Sequence, residues 1–135
     1  MSVLNKPGIR FPGVYVISYS GAAVPGMRVT PKHVDYVGMT VSVGGIRSRL
    51  NQFLRATEGT SGHSGGLRLY RGQSKTPVDE KVNFLFAFQY FPAETKKTFR
   101  TANDLRTMGH VACLEYYVLA HIREQCGREP RLNRK

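Results

Sequence analysis

The stretch 34–53 constrains the fold most, because its pattern changes from strand to helix within twenty residues. Apolar residues alternate loosely with small or polar ones over residues 34–40, which predicts a short strand. The pair Gly44–Gly45 then permits backbone angles that other residues avoid, so the chain turns there. Apolar residues at helical spacing follow. We therefore expect a phenol at Tyr36 and a guanidinium at Arg49 on either side of one turn.

Two further strands and a second helix complete the predicted architecture. The predicted elements are the strands Gly13–Tyr19, Val34–Thr40 and Val82–Phe91 and the helices Gly45–Ala56 and Asn103–Cys126. We expect the first two strands to pair antiparallel, which would bring Tyr15 and Tyr36 near one another. The aromatic third strand is expected at the centre of the sheet, buried on both faces. The sequence thus predicts one domain of α/β (α+β) class over residues 1–135.

The chain is strongly basic, which favours nucleic acid as its partner. It has 20 Lys and Arg residues against 9 Asp and Glu residues, so its net charge is +11. Such a charge is the electrostatic footprint of a protein that binds DNA or RNA. The hydrophobic fraction of 41% is ordinary for a globular protein and argues against disorder. No apolar run approaches the length of a membrane span, so we expect no membrane association.

The two cysteines indicate a cellular compartment rather than a site. Cys113 and Cys126 lie thirteen residues apart on the predicted last helix, a separation of about 20 Å at the helical rise. That distance is too large for a disulfide, and two thiols are too few for a zinc site. No secretion signal is visible at the N-terminus, so we expect free thiols in a reducing cytoplasm.

One carboxylate is predicted on the packing face of the last helix. At 100° per residue, Glu115 falls inside a broad apolar arc, with Val111 and Leu119 four residues to either side. The arc comprises Leu105, Met108, Val111, Ala112, Tyr116, Val118, Leu119 and Ile122. A buried charge is strongly destabilising unless it is paired or bound to a cation. The two interpretations are a buried Glu–Arg pair and a single carboxylate that holds a hard divalent metal.

These groups are the parts that phosphodiester hydrolysis requires. A water molecule must be aligned and deprotonated, and a metal and an arginine must neutralise the charge that grows on the phosphate oxygens. A free phenol has a pKa of about 10, so only about one in a thousand is ionised at pH 7. A tyrosine base therefore needs neighbouring positive charge that lowers its pKa, or it acts by hydrogen bonding alone.

Five short motifs, in order along nearly the whole chain, resemble those of the GIY-YIG endonucleases. Gly13–Tyr15 resembles the GIY element, and Tyr36–Gly38 resembles the YIG element. Arg49–Leu50 is similar to the arginine motif of the following helix, and Leu114–Glu115 is similar to the metal-binding glutamate. Pro130–Asn133 resembles the Pro-x-x-Asn sequence that ends the module. Each motif is short, but their order on the predicted elements makes the resemblance specific.

The resemblance implies a three-stranded antiparallel sheet flanked by helices, and a DNA endonuclease that depends on Mg²⁺ or Mn²⁺. By that analogy Tyr15 positions or deprotonates the attacking water, and Tyr36 hydrogen-bonds to the phosphate or the water. Arg49 would stabilise the transition state, Glu115 would bind the metal and Asn133 would steady the site.

Further functional residues are expected outside these roles. His63 lies in a loop rich in Gly and Ser, where some members of the family use a histidine. The alternative for His63 is a loop histidine with no role. Arg47, Arg49, Arg131 and Arg134 are expected to contact nucleic acid, because arginines bind backbone phosphates.

The sequence departs from the common pattern of the family at two loops. The motif tyrosines lie 21 positions apart, further than in many members, and the turn before the helix arginine is longer. Arg47 is therefore the alternative to Arg49, although helical phase favours Arg49, which flanks the apolar seam of its helix. The long hairpin is more similar to the restriction-enzyme branch than to the UvrC-type repair branch.

Two functions of different classes follow from the sequence. The first is a metal-dependent DNA endonuclease of the restriction or mobile-element type. The alternative is a non-catalytic nucleic-acid-binding module or subunit of the same fold, since fold alone does not determine function. A chain this short has little surface for reading several base pairs, so we expect a homodimer or a partner protein to contribute.

Overall fold

A computed structural model describes residues 3–19, 26, 28–59, 66 and 84–133 of the chain. Within these ranges the elements are the strands β1 (Gly13–Ser18), β2 (Tyr36–Thr40) and β3 (Leu85–Tyr90) and the helices α1 (Gly45–Thr57) and α2 (Ala102–Cys126). All boundaries lie within three residues of the predicted ones. The strands form one antiparallel sheet in the order β2-β1-β3. The expected three-stranded antiparallel sheet with helices, a small α+β domain, is therefore confirmed.

Alternation of side chains along the strands gives the sheet two faces with different partners. The first, here called the tyrosine face, carries Tyr15 and Tyr36 and is covered by α1. The second, the aliphatic face, carries Val14 and Val37 and is covered by α2. The residues that pack on these faces are Ile46, Leu50 and Phe53 from α1 and Val111, Leu119 and Ile122 from α2.

The segment before β1 secures the start of α1. The first N–H groups of a helix have no partners within the helix. Here the amides of Ile46 and Arg47 donate to the carbonyls of Phe11 and Ile9, at 3.1 and 2.7 Å. Gly45 has a φ of 63°, and a Cβ at that position would collide with a carbonyl of the same segment. Glycine thus allows the N-terminal segment to dock against the helix.

The second helix begins and ends where the sequence predicts. Thr101 and Asp104 form a capping box, in which the Asp104 amide donates to the Thr101 hydroxyl at 3.2 Å and the Thr101 amide donates to the carboxylate at 2.7 Å. Hydrogen bonds that the carboxylate accepts from the Thr101 backbone, the Thr101 hydroxyl and the Glu94 backbone lower the pKa of Asp104. Gly127 ends the helix in the left-handed conformation, with a φ of 72°. Cys113 and Cys126 are free thiols, as expected.

No helix in the described part of the chain has the length and apolar character needed to cross a lipid bilayer.

The expected position of the third strand is wrong. The aromatic stretch Val82–Phe91 was predicted at the centre of the sheet. Instead β1 is the central strand, and β3 is an edge strand that pairs with β1 on the side opposite β2. Phe86 and Phe88 pack into the core of the tyrosine face. Ala87 and Gln89 alternate with them, and Gln89 is exposed. This period of two is typical of a strand with one buried face, and it outweighs the high overall hydrophobicity that suggested a central strand.

The packing arc predicted for the second helix is too broad. Val111, Leu119 and Ile122 are buried, but the side chains of Leu105 and Tyr116 are 48% and 62% exposed. With 25 residues, α2 is about 37 Å long. The strands have five or six residues and span about 20 Å. The excess length accounts for an exposed end such as Leu105, whereas Tyr116, next to the buried Glu115, is exposed because it lies about 100° further around the helix axis.

Candidate active site

Tyr15 and Tyr36 lie side by side on the tyrosine face, as their predicted pairing required. Their ring centroids are 6.2 Å apart, with the ring planes tilted by 34°. Tyr15 faces Gly38 across the pairing of β1 with β2. A Cβ on Gly38 would lie 2.5 Å from the Tyr15 hydroxyl oxygen and 2.8 Å from the Tyr36 ring. The absence of a side chain at Gly38 therefore allows the Tyr15 ring to lie across β2, beside Tyr36.

Arg49 completes a cluster with the two phenols. The guanidinium hydrogen-bonds to the hydroxyl of Tyr15, which also shares a hydrogen bond with Tyr36. The Arg49 Nη1 donates in addition to the Gln52 side-chain oxygen at 2.6 Å. The exposed fractions of Tyr15 and Tyr36 are only 1% and 7%. We call Tyr15, Tyr36 and Arg49 the Tyr–Tyr–Arg cluster; it joins side chains from β1, β2 and α1.

The neighbouring arginine of the same helix faces a different part of the molecule. Arg47 lines two depressions, one shared with the N-terminal segment and one along the exposed side of α1. Arg47 and Arg49 are two positions apart, so their side chains are separated by about 200° around the helix axis. Of the two candidate arginines, Arg49 is thus the one beside Tyr15, while the catalytic role itself stays a prediction.

Burial raises the pKa of Tyr15 well above the ordinary value of a phenol. The neighbouring Tyr36 raises this pKa further, and the positive charge of Arg49 opposes the increase without cancelling it. The Tyr15 phenol is therefore neutral at pH 7 in this environment. Of the two roles that the sequence left open for a tyrosine, this environment favours hydrogen bonding over proton abstraction.

Glu115 is buried on the second helix, as the helical phase predicts, and only 3% of it is exposed. Val111 and Leu119, one turn before and one turn after it, pack against the aliphatic face. Glu115 therefore belongs to the helix that covers the opposite face from Tyr15 and Tyr36. The sheet brings the two phenols and Arg49 together, whereas the carboxylate is carried by the other layer of the domain.

The available donors indicate which metal these residues fit. Among residues 3–19, 28–59 and 84–133, no group of three or more His, Cys, Asp and Glu side chains could hold a metal ion. Among the described residues Asp35 is also a buried acid, and it accepts from the Arg131 Nε at 2.9 Å and from the Tyr19 amide at 2.7 Å. The single carboxylate of Glu115 fits Mg²⁺ or Mn²⁺, which retain several water ligands. Those ranges contain no ligand set of the kind that zinc requires.

Asn133 binds the outer edge of β2. Its amide nitrogen donates to the Val37 carbonyl at 2.8 Å, and its oxygen accepts from the Val37 amide at 2.9 Å. The Leu132 amide donates to the Asp35 carbonyl at 3.0 Å. The segment Pro130–Asn133, here called the C-terminal clamp, thus satisfies backbone groups that the edge of a sheet leaves unpaired. Because Val37 directly follows Tyr36, the clamp steadies the strand that carries this phenol.

Arg131, which the sequence suggested as a contact for nucleic acid, is also bound within the protein. Its Nε lies 2.9 Å from the Asp35 carboxylate, and its guanidinium carbon lies 4.6 Å from the centroid of the Tyr19 ring. Any contact of Arg131 with nucleic acid would therefore compete with these two partners. Its role in DNA binding stays a prediction.

Two residues of the site were not identified from the sequence. Gln52 holds Arg49, and its position three residues later on the helix was an available signal. Asp35 connects the C-terminal clamp to β2 through Arg131, a residue 96 positions away, and no local pattern indicates such a pair. His63 and Arg134 lie outside the described residues, so their predicted roles stay predictions.

Comparisons of the chain with protein-family models, with curated proteins and with solved structures found no match. The interpretation of this site therefore depends on its own residues and their geometry.

Proposed function

We propose that this protein is a DNA endonuclease of the GIY-YIG type that depends on a divalent metal. The observation that carries the proposal is the Tyr–Tyr–Arg cluster, in which three elements contribute two phenols and a guanidinium that hydrogen-bond to one another. The net charge of +11 supports nucleic acid as the substrate. The three-stranded antiparallel sheet between α1 and α2 supports it further, because the resemblance implies this architecture.

The proposed reaction is hydrolysis of a phosphodiester. The oxygen of a water molecule forms a bond to phosphorus while one P–O ester bond breaks, the water loses a proton and the departing oxygen gains one. Arg49 neutralises the charge that develops on the phosphate oxygens. Tyr36 and the neutral Tyr15 orient the phosphate and the water by hydrogen bonds.

Glu115 is the residue that would hold the metal. When bound, Mg²⁺ or Mn²⁺ supplies positive charge for the phosphate oxygens and lowers the pKa of a coordinated water molecule. Glu115 contributes one anionic oxygen ligand, and its burial among aliphatic residues strengthens its attraction for a cation. Asn133 contributes indirectly, since it fixes the strand that presents Tyr36.

Three further features bear on the class of nuclease, its cellular location and its partners. The long connection between β1 and β2 supports a restriction or mobile-element nuclease. Free thiols support a cytoplasmic location. A homodimer or a partner protein would supply additional surface for recognising a DNA sequence.

A second function, a DNA-binding module of this fold without turnover, is favoured by one observation. The two phenols are almost completely buried, and the carboxylate belongs to the helix on the opposite face of the sheet. In this alternative the Tyr–Tyr–Arg cluster stabilises the core, and the basic surface alone contacts nucleic acid.

Cleavage of plasmid DNA by the full-length chain tests the proposal. We expect nicking in Mg²⁺ that EDTA stops, and we expect Glu115→Ala to reduce the rate by about 10³-fold while salt-sensitive DNA binding persists. Glu124→Ala is the matched control, because Glu124 is exposed on the same helix.

Nicking by Glu115→Ala at the wild-type rate would contradict the metal role. If the intact protein cleaves no duplex, branched or single-stranded substrate, the non-catalytic module becomes the better account.

A further inference from the structure

Two depressions on the surface meet at Arg47. The first, with a volume of about 370 Å³, is lined by the N-terminal segment, including Lys6 and Arg10, and by Arg47. The second, about 250 Å³, runs along the exposed side of α1 and is lined by Arg47 and Arg55 together with polar residues. Because Arg47 lines both, the depressions adjoin at this residue, and we call the two together the basic groove.

The groove is built by backbone hydrogen bonds and does not depend on the conformations of long side chains alone. The Arg47 amide donates to the Ile9 carbonyl at 2.7 Å, and the Ile46 amide donates to the Phe11 carbonyl at 3.1 Å. These bonds fix residues 9–11 against the start of α1. Lys6 and Arg10 are thereby presented on the same side of the molecule as the arginines of the helix.

The charges of this groove are not neutralised within the described part of the chain. Neither of the two ion pairs found there involves Lys6, Arg10, Arg47 or Arg55. Among the described residues, no Asp or Glu side chain lines either depression. The groove thus concentrates four cations, and it therefore attracts a polyanion.

The uncharged residues of the groove indicate the kind of polyanion. Ser48, Asn51 and Gln52 lie between the arginines of the second depression. Hydroxyl and amide side chains together with Arg and Lys are the groups that contact phosphate and sugar oxygens in protein–DNA complexes. The eight helical steps from Arg47 to Arg55 span about 12 Å of helix. That length matches about three to four phosphates along one strand of B-DNA, at about 3.4 Å of axial rise each.

The groove adjoins the Tyr–Tyr–Arg cluster through one residue. Gln52 lines the second depression, and its side-chain oxygen accepts a hydrogen bond from Arg49 at 2.6 Å. Arg49 in turn bonds to Tyr15. A strand lying in the groove would therefore pass directly beside the guanidinium of the cluster.

We infer that this groove, formed by Lys6, Arg10, Arg47 and Arg55, binds the sugar–phosphate backbone of the DNA that flanks the cleaved bond. The inference rests on the proposed function for its ligand and adds Lys6, Arg10 and Arg55 as binding residues. Contacts to the backbone neutralise phosphates and release counterions, so the contribution of the groove is independent of base sequence and sensitive to salt.

The test measures binding of the full-length chain to a fluorescent 30-base-pair duplex by anisotropy, in EDTA so that no cleavage occurs, between about 50 and 200 mM KCl. Each lost phosphate contact makes the slope of log K (the association constant) against log salt less negative by about 0.9. It also weakens binding about eightfold at 0.1 M salt. The double variant Lys6→Ala/Arg10→Ala should therefore bind about 60-fold more weakly, with a slope reduced by about 1.8. The single variant Arg55→Ala should show about half of that change in slope.

Arg106→Ala/Arg128→Ala is the matched control, since both residues are exposed and the pair removes the same total charge. We expect this control to keep the wild-type slope. An equal loss in the control, unchanged slopes in both groove variants, or no duplex binding by the wild-type chain would overturn the inference. A thermal melt of each variant checks that a weaker binder is still folded. If the double variant is unfolded, the slope of Arg55→Ala tests the inference instead.

The result separates this inference from the proposed function. If the wild-type chain binds DNA with a steep salt dependence that the groove variants reduce, but never cleaves it, the groove inference stands and the nuclease proposal is rejected. A chain that cleaves DNA while the groove variants bind normally would retain the nuclease and reject the groove.

Discussion

The two faces of the sheet bury different chemistry. On the tyrosine face, Tyr15, Tyr36 and Arg49 hydrogen-bond to one another inside the core that α1 covers. On the aliphatic face, Val14 and Val37 pack against apolar residues of α2, and the carboxylate at the centre of that helix belongs to this layer. The first face combines packing and polar function in the same side chains. The second face separates them, since its stability comes from aliphatic burial.

This difference has a consequence for how each face tolerates change. A hydrogen-bonded polar cluster in a core is rigid, because each member is fixed by the others and an unpaired member would be strongly destabilising. Such rigidity is useful for a site, since groups already held in position need little reorganisation when a substrate binds. On the aliphatic face, hydrophobic burial specifies the position of the helix, and the helical phase then specifies the position of its acid.

The largest expected effect is on the chemistry of the tyrosine face. Arg49→Ala should slow the cleavage step by about 10²- to 10³-fold, because in the proposed reaction it removes the cation that neutralises the developing phosphate charge. Arg47→Ala should reduce the cleavage step far less, since Arg47 lines the groove and not the cluster. Single-turnover rates at saturating DNA measure both variants. The reverse order of effects would mean that Arg47 is the functional arginine and that the longer turn was placed wrongly.

The next largest effect tests whether the glycine of β2 is what permits the cluster to form. Gly38→Ala should destabilise the fold by about 1–3 kcal/mol, because the added Cβ would overlap the hydroxyl end of Tyr15 and force the two rings apart. Urea denaturation followed by circular dichroism measures the change. The matched control is Gly109→Ala in α2, where nothing lies within 4 Å of an added Cβ.

This control should stabilise the protein by up to about 1 kcal/mol, the difference in helix propensity between Gly and Ala. Equal stability of Gly38→Ala and the wild type would show that the strand adjusts easily. In that case the close packing of Tyr15 over Gly38 would not be what holds the phenols in place.

These predictions depend on parts of the fold that the sequence could and could not reveal. The strand–turn–helix stretch and the capping box of α2 were predictable, because neighbouring residues determine them. The inward direction of Glu115 was predictable too, since aliphatic residues stand one turn to either side. The order of the strands was not, because it depends on which strand pairs on each side of β1, and β3 was wrongly placed at the centre.

The parts of the site that escaped prediction are those made by distant residues. Asp35 and Arg131 are 96 positions apart, and only the folded chain brings them together. The sequence also could not indicate which face of the sheet each helix covers, so it predicted one compact site. In the structure the helix that carries Glu115 packs on the aliphatic face, and the meeting of its carboxylate with the phenols stays a prediction.

The smallest expected effect is on the pH dependence of stability, which reports the ionisation of Tyr15 on the tyrosine face. Burial raises the pKa of Tyr15, whereas in the unfolded chain its pKa is about 10. Between these two pKa values the unfolded chain loses a proton that the folded protein keeps, so the contribution of Tyr15 to stability is complete below about pH 10 and decreases above it. The free energy of unfolding should therefore fall by about 1.4 kcal/mol more between pH 9 and pH 11 in the wild type than in Tyr15→Phe.

Urea denaturation of both proteins at the two pH values measures this difference, and the comparison cancels the titration of the other tyrosines and lysines. Parallel pH dependences would mean that the phenol ionises freely in the folded protein, and Tyr15 would then be available as a base rather than only as a hydrogen-bonding group.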